Sequence, residues 1–212
     1  MLSETIIQQF ELQVSDITEL STSEEYVVLN RVYNRVCDMR PWEFLKTDAS
    51  GSILQDADGY YITLPSDFAY LTENNNYTDN SIQSQNNASP KVIFVGSTYT
   101  PYQVINFSDR RQYRNKSGFA YVDIADSKIR FTNTPNGSTY EFDYIKTPTT
   151  LAAGVTPLIP SRFHDILVYG MAIDDAIIQL SPKATSYAPE NKVYFDNRVA
   201  DMVYWNAQLI LN

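Results

Sequence analysis

The apolar positions in the first forty residues recur at helical spacing. Residues 3–13 predict a short helix with Ser3 as its N-cap and three apolar side chains on one side: Ile6, Ile7 and Phe10. A longer helix is predicted after Ser21, which has capping-box spacing to Glu24. Pro41 ends this helix, whose apolar face carries Tyr26, Leu29, Tyr33, Val36 and Cys37.

After Pro41 the pattern changes to the short alternating runs that are typical of strands. Residues 51–68 predict two strands joined by a turn, Asp56-Ala57-Asp58-Gly59. Further strands are predicted within 91–97, 102–107, 120–133 and 139–148, with a hairpin at Pro135-Asn136-Gly137-Ser138. Residues 72–90 are rich in Asn, Ser, Thr and Gln, which predicts a long exposed loop.

The C-terminal part returns to helical periodicity. One apolar stripe is predicted to start at Phe163 and to continue through Ile166, Leu167, Gly170, Ile173, Ile177 and Leu180. Gly170 would either allow a second helix to approach closely or be a glycine that the helix tolerates at a cost of about 1 kcal/mol. Pro182 interrupts this helix, and a last helix from about Pro189 to Leu211 is predicted to bury Val193, Ala200, Val203, Tyr204, Ala207 and Leu211.

The order of these elements predicts an α+β fold. We expect N- and C-terminal helices to form a helical bundle that brackets an inserted antiparallel β-domain, because each apolar stripe needs an apolar partner. The predicted boundaries are 1–46 and 157–212 for the discontinuous bundle and 47–156 for the β-rich insertion.

Composition and charge narrow the functional classes. Apolar residues make up 43% of the chain and charged residues 19%, which is ordinary for a globular protein with a substantial core. The formal net charge of -9 argues against broad, non-specific binding to DNA or to anionic membranes. The start of the chain lacks the pattern of a secretory signal, and no segment is apolar enough to predict a membrane span.

The segment PSRFHDILVYGMAIDDA (160–176) contains the single histidine of the chain and raises the question of a catalytic or metal site. His164 and Asp165 are adjacent on a helix and therefore do not face each other, and His164 has no metal-ligating residue three or four positions later. We expect His164 to have a surface or a helix-N-terminal role, and Asp174 and Asp175 to lie on a solvated or channel-facing side. Because no catalytic motif stands out elsewhere, the sequence predicts neither an enzyme nor a bound metal or cofactor.

Two further features carry candidate chemistry. Cys37 lies in an apolar helical pattern and is predicted to be a buried structural thiol. The segment DRRQYRNKSG concentrates positive charge around Tyr113, through Arg110, Arg111, Arg114 and Lys116. This segment is either a solvated loop between strands or a binding surface, and among binding roles an acidic protein partner is favoured over DNA.

The order of four segments and the residue patterns within them resemble the head–tail adaptor (head completion or tail-tubular) proteins of tailed bacteriophages. These segments are RPWEFLK (40–46), GYYITLPSDF (59–68), SKIRFTNTPNGSTYEFDYIKTP (127–148) and PLIPSRFHDILVYGMAIDDAI (157–177). The resemblance covers residues 40–180 as a diffuse pattern and contains no catalytic signature.

This resemblance implies a structural protein of the virion neck, assembled in the cytoplasm of the host bacterium. It implies a closed ring of identical subunits, commonly twelve, that joins the portal to a tail tube or nozzle protein. Such a ring lines the DNA channel, contacts the passing DNA weakly if at all, and has no membrane partner.

The ring contact has candidate residues of its own. Aromatic side chains on the last helix could form a subunit or portal contact, although packing of the same helix in the core is equally compatible with the pattern; they are Tyr187, Tyr194, Tyr204 and Trp205. The alternative function is a carbohydrate- or cell-surface-binding β-module of a phage tail, suggested by the Tyr-rich β-region. A hydrolase built around His164 ranks last.

Overall fold

The computed structural model describes residues 1–14, 20–73, 91–179 and 182–210. The chain divides into two compact units, which we call the helical unit (Met1–Leu45 with Pro148–Asn212) and the β-unit (Lys46–Thr147). Leu180, Leu211 and the predicted polar loop, apart from Thr72 and Glu73, lie outside the described residues. The fold is α+β, with a curled mixed sheet and four described α-helices.

The helices are α1 (Ser3–Gln13), α2 (Thr22–Asp38), α3 (Asp165–Gln179) and α4 (Pro182–Ile210). The sequence placed α1 and α2 correctly, and the capping box of Ser21 and Glu24 is present. Ser3 is not a cap, because its buried hydroxyl lies 2.6 Å from the Ala152 carbonyl oxygen and hydrogen-bonds the 152–155 segment instead.

Helix α4 begins at Pro182, seven residues before the predicted start at Pro189. Proline is well tolerated in the first turn of a helix, where its missing N–H has no intrahelical partner. Pro189 lies inside the helix, at the cost of one backbone hydrogen bond.

Helix α3 is the centre of the helical unit, because α1, α2 and α4 all pack against it. A Cβ atom added to Gly170 would overlap Val32 Cγ1 of α2 and would lie 3.2 Å from Phe195 Cε2 of α4. This confirms the prediction of a close helix approach at Gly170. Burial on α3 departs from the predicted single stripe, because Val168, Met171 and Ala172 are buried as well, whereas the predicted Ile177 is 63% exposed.

The buried face of α4 is the opposite of the predicted one. The residues that pack inward are Asn191, Phe195, Met202 and Asn206, whereas Val193 is 58% exposed and Tyr204 is 69% exposed. Ala200 and Ala207 are also exposed. The error arises because the inward row begins and ends with asparagine, whose amides hydrogen-bond neighbouring polar groups: Asn206 Oδ1 accepts from the Glu43 N–H at 2.8 Å.

Residues 148–160 are fastened to the helical unit by polar side chains. The Asn30 amide pairs with both the N–H and the C=O of Leu151, at 2.7 and 2.9 Å. The Tyr33 hydroxyl accepts a hydrogen bond from the Leu158 N–H at 3.0 Å. These bonds satisfy backbone groups of an irregular segment that packs against helices.

The β-unit contains nine described strands: β1 (Lys46–Ser52), β2 (Leu54–Asp56), β3 (Gly59–Thr63), β4 (Phe68–Leu71), β5 (Val92–Val95), β6 (Thr100–Ile105), β7 (Phe119–Asp123), β8 (Lys128–Phe131) and β9 (Thr139–Lys146). Their order is β1-β9-β5-β6-β7-β8-β3-β2, with β4 also paired to β9. Only Ile53 separates β1 from β2, so the strands at the two ends of the order are consecutive in sequence and the sheet curls back on itself.

The predicted turn between β2 and β3 is confirmed, with Asp56 opposite Gly59 and the Asp58 N–H bonded to the Asp56 carboxylate. The sheet is not wholly antiparallel as predicted, because β6 and β7 are parallel. A parallel pair needs a crossover connection, and residues 106–118 supply it.

The predicted hairpin at Pro135–Ser138 is wrong. Strand β8 lies between β7 and β3, whereas β9 lies between β1 and β5. The turn-like segment connects β8 to β9, which do not pair with each other. Gly137 lies directly against Gly96, since an added Cβ would be 2.8 Å from the Gly96 Cα. Here the glycine serves a close backbone approach and not a tight turn.

The two faces of the strands differ in burial, which gives the β-unit a core of its own. This core contains Ile62, Leu71, Ile93, Val95, Tyr102, Ala120, Ile129, Phe131, Phe142 and Tyr144. Aromatic rings account for four of these ten side chains, two of them tyrosines, so aromatic packing contributes substantially to this core.

Gly170→Ala should destabilise the helical unit by about 1–3 kcal/mol, the usual cost of overpacking, although alanine is intrinsically the better helix former by about 1 kcal/mol. Chemical denaturation followed by circular dichroism measures this loss. In a double-mutant cycle, Gly170→Ala combined with Val32→Ala should cost less than the sum of the single changes, because the valine methyl group is the obstacle. A Gly170→Ala protein as stable as the wild type would contradict this packing.

Candidate functional site

His164 is a packing residue and not a catalytic one. It is only 1% exposed, which corrects the predicted surface position, although it does precede α3 directly. Its Nε2 atom lies 2.7 Å from the Ile159 carbonyl oxygen, and since a carbonyl only accepts, Nε2 carries the proton. Burial lowers the pKa of the ring, which is therefore neutral at pH 7. A substrate could not reach this imidazole.

The aspartate pair of α3 is buried, which overturns the predicted solvated or channel-facing side. Asp174 is 5% exposed and accepts a hydrogen bond from Arg35 Nη1 at 2.9 Å, while Asp175 is fully buried and accepts one from the Tyr187 hydroxyl at 2.8 Å. A buried carboxylate needs such partners. The two aspartates thus tie α3 to α2 and to α4.

A second acidic contact lies in the same core. Glu25 of α2 is only 2% exposed and hydrogen-bonds Glu11 of α1, with Asp175 of α3 within electrostatic reach. Burial raises the pKa of Glu25, and the charges of Glu11 and Asp175 raise it further. Among the residues that the structure describes, no three acidic, histidine or cysteine side chains are arranged to hold a metal ion.

Cys37 is 3% exposed, and burial raises the pKa of its thiol to about 12. The prediction of a buried structural thiol is confirmed, because a protonated, inaccessible thiol is a poor nucleophile.

The four aromatic candidates of α4 fall into two groups. Tyr187 donates to Asp175, and Trp205 lies 5.7 Å from the ring of Phe163 with Arg162 over its face, so both are engaged within the helical unit. Tyr194 is partly exposed and stacks on Tyr169. Tyr204 is the most exposed of the four.

We call the side of α4 opposite its buried row the outward face. Val193, Ala200 and Tyr204 lie along it, spaced seven and four residues apart, and three exposed acidic residues flank them: Glu190, Asp196 and Asp201. An exposed apolar row along a helix that is already buried on its other side is a candidate protein contact.

The predicted basic cluster lies on the crossover between β6 and β7. A short 3-10 helix, Phe107–Arg111, starts this connection, and the Arg110 guanidinium lies 3.8 Å above the Phe107 ring. Lys116 lies 4.8 Å above the ring of Tyr113. Arg111 and Arg114 are exposed and form no hydrogen bond or ion pair with the described part of the chain.

The basic cluster borders an open groove of about 610 Å³ on the β-unit. Arg110, Arg111 and Arg114 line one side of it, and Asp58, Asp123 and Asp126 line the other. Aromatic rings also line the groove: Tyr60, Phe107, Tyr121 and Phe131. Lys116 is not among the lining residues, so the structure brings three of the four predicted basic residues together.

Sequence reasoning missed Arg130, which organises the acidic side of this groove. Arg130 is 5% exposed and contacts Asp56 at 3.2 Å, Asp126 at 2.7 Å and Asp123 at 3.7 Å. Lys128 bonds Asp56 at 2.8 Å, and its hydrogen bond, together with Arg130, lowers the pKa of Asp56 to about 2. Arg130 lies 74 positions after Asp56, so local sequence patterns gave no signal for this contact.

A family model for the SU10 adaptor protein matches residues 4–202 and thus most of both units. The chain belongs to the SU10 adaptor protein family. This is a family of phage head–tail adaptors, which confirms the resemblance seen in the sequence. No match was found among curated proteins.

Family membership makes the protein a phage adaptor and implies a structural, non-enzymatic component of the virion. It also implies association with portal and tail proteins in general. The described helices include none that is long and apolar enough to cross a membrane. Because an adaptor binds other proteins, the outward face of α4 and the basic groove are its candidate contact surfaces.

Glu25→Gln should stabilise the adaptor at pH 8 by on the order of 1 kcal/mol, a usual size for one substitution, because it removes a charge from the contact with Glu11 and Asp175. Glu25 has a raised pKa in the folded state, so its contribution is fully present below the unfolded pKa and is lost as pH rises through the folded value. The advantage of the variant should thus shrink towards pH 4. Urea denaturation at a series of pH values measures it.

The adjacent Glu24 is a matched control, because its pKa is lowered by the hydrogen bonds of the Ser21 capping box. Glu24→Gln should weaken the helix start at pH 8, and this loss should fade as pH falls. Equal pH profiles for the two variants would refute the buried acidic contact at Glu25.

Proposed function

We propose that this adaptor forms a closed ring of twelve subunits in the virion neck. The ring joins the portal to a tail tube or nozzle protein and lines the DNA channel. The family supports the adaptor role. The main support for a ring is the outward face of α4, where Val193 and Tyr204 are exposed on a helix that is already packed on its other side.

Closed rings need contacts between two different surfaces of each subunit. In this proposal the helical unit forms the body of the ring and the outward face of α4 forms one side of the subunit contact. Tyrosine suits such a position, because it combines a large apolar area with a hydroxyl group that finds a partner at an interface.

The charge of the adaptor supports the role of a channel wall. At a net charge of -9, the subunit repels DNA at long range, so DNA can pass without strong adhesion. No membrane partner enters the proposal, and assembly takes place in the cytoplasm of the host bacterium.

Native mass spectrometry and negative-stain microscopy of the adaptor, alone and with the purified portal of the same phage, test the proposal. We expect rings in at least one of these conditions and a stable complex with the portal. An adaptor that neither assembles nor binds the portal would rule the proposal out.

Val193→Glu/Tyr204→Glu should abolish self-association while changing the stability of the monomer by less than about 1 kcal/mol, because both side chains are exposed. Sedimentation velocity measures the first effect and thermal denaturation the second. Leu12→Glu, at a 79% exposed apolar residue of α1, is the control that should assemble like the wild type. Loss of assembly in both proteins would show a general charge effect and not a contact of α4.

A further inference from the structure

The groove of the β-unit has positive charge that its own carboxylates do not neutralise. Asp123 and Asp126 on its acidic side are engaged with Arg130, and Asp58 lies 3.9 Å from the same guanidinium. Arg111 and Arg114 have no acidic partner among the described residues. Four arginines and three aspartates line the groove, and the two arginines without an ion pair, Arg111 and Arg114, lie at the end of the 3-10 helix and just after it.

The basic side of the groove is held in place by the sheet. The Asn115 N–H donates to the Thr132 carbonyl oxygen at 2.9 Å, and the Thr132 hydroxyl donates to the Lys116 carbonyl oxygen at 2.6 Å. The ring of Tyr113 lies 4.6 Å from that of Phe119, and the ring of Phe107 lies 5.8 Å from that of Tyr121. Such a preorganised surface loses little conformational entropy when a partner binds.

The two units of the chain carry different charges. The helical unit contains seven Lys and Arg against fourteen Asp and Glu, a net charge of -7, whereas the β-unit contains nine against eleven, a net charge of -2. A second copy of the chain thus offers an acidic surface that complements the cationic side of the groove.

The outward face of α4 matches the groove in chemistry. Its centre is apolar and aromatic, through Val193 and Tyr204, and its flanks carry Glu190, Asp196 and Asp201. Two of these carboxylates form exposed ion pairs, Asp196 with Lys192 and Asp201 with Arg198. Exposed pairs contribute little, so they can be exchanged for pairs with incoming arginines.

From this complementarity we infer that the groove receives the outward face of α4 from a second copy of the chain, with Arg111 and Arg114 against the carboxylates that flank Tyr204. The inference rests on the proposed ring and identifies its second surface. The contact is heterologous, because groove and helix face differ, and it can therefore repeat around a closed ring.

Duplex DNA is a less suitable occupant of the same groove. The four groove arginines belong to a chain of net charge -9, and a polyphosphate would approach against that field. A helix face carries its carboxylates at a lower density than DNA carries phosphates, and it offers apolar contact with Phe107 and Tyr60 as well.

Two variants that each lack one surface test the inference when they are mixed. The groove variant is Arg111→Glu/Arg114→Glu, and the helix variant is Val193→Glu/Tyr204→Glu. Each should be monomeric alone, with self-association weakened at least about tenfold, the effect of losing about 1.4 kcal/mol. Mixed in equal amounts, they should form a heterodimer and nothing larger, because one intact groove and one intact helix face remain.

Sedimentation velocity and native mass spectrometry distinguish the outcomes, and Arg31→Glu/Lys46→Glu is the control with the same change in charge. Arg31 lies on the helical unit and Lys46 on β1, outside the groove. This control should assemble normally, and all variants should keep the wild-type circular dichroism spectrum. The neutral variant Arg111→Ala/Arg114→Ala, which introduces no repulsion, should also associate more weakly than wild type.

Four results would overturn the inference while leaving the adaptor role intact. The groove variant could assemble like the wild type, or it could form homodimers through α4 alone. It could also assemble normally but lose binding to a short DNA duplex in fluorescence anisotropy, which would assign the groove to DNA. A wild-type chain that binds the portal without self-association would refute the copy-to-copy contact, whereas failure to bind the portal or to assemble would refute the proposed function itself.

Discussion

The absence of a side chain at Gly170 is the constraint on which the helical unit depends. At this position α3 meets Val32 of α2 on one side and Phe195 of α4 on the other, at distances that leave no room for a methyl group. Once Phe195 is fixed against α3, the helical period places Asn191, Met202 and Asn206 on the same inward side. Val193 and Tyr204 are thereby turned to the surface, where a second subunit can reach them.

Polar groups fix the surroundings of this contact. Asn30, Tyr33 and His164 each bond a backbone group of the 151–159 segment, and Asp174 and Asp175 bond Arg35 and Tyr187 across helix interfaces. Every one of these side chains is a type that suggests chemistry when it is met in a sequence. In the folded adaptor they satisfy buried groups, in keeping with a structural role.

The β-unit separates its charges instead of cancelling them. Arg130 contacts the aspartates of two turns, whereas Arg111 and Arg114 of the β6–β7 crossover form no ion pair with the described residues. The contacts of Arg130 depend on the strand order, since Asp56 ends β2 and Asp126 follows β7, and both reach Arg130 only because β8 lies between β3 and β7. The basic cluster could be seen in the sequence, but the groove could not.

The sequence by itself determined α1, α2, the turn at Asp56–Gly59, the buried thiol of Cys37 and the adaptor family, because these depend on local spacing, capping and the order of the segments. Only the tertiary structure decided which side of α4 is buried, where Pro135–Ser138 leads, and that His164, Asp174 and Asp175 lie in the core. An apolar pattern states that a residue can be buried, but which of two possible faces is buried depends on the partner that packs there. For α4 that partner is α3 at Gly170, whose closeness to Val32 and Phe195 is a property of three helices together.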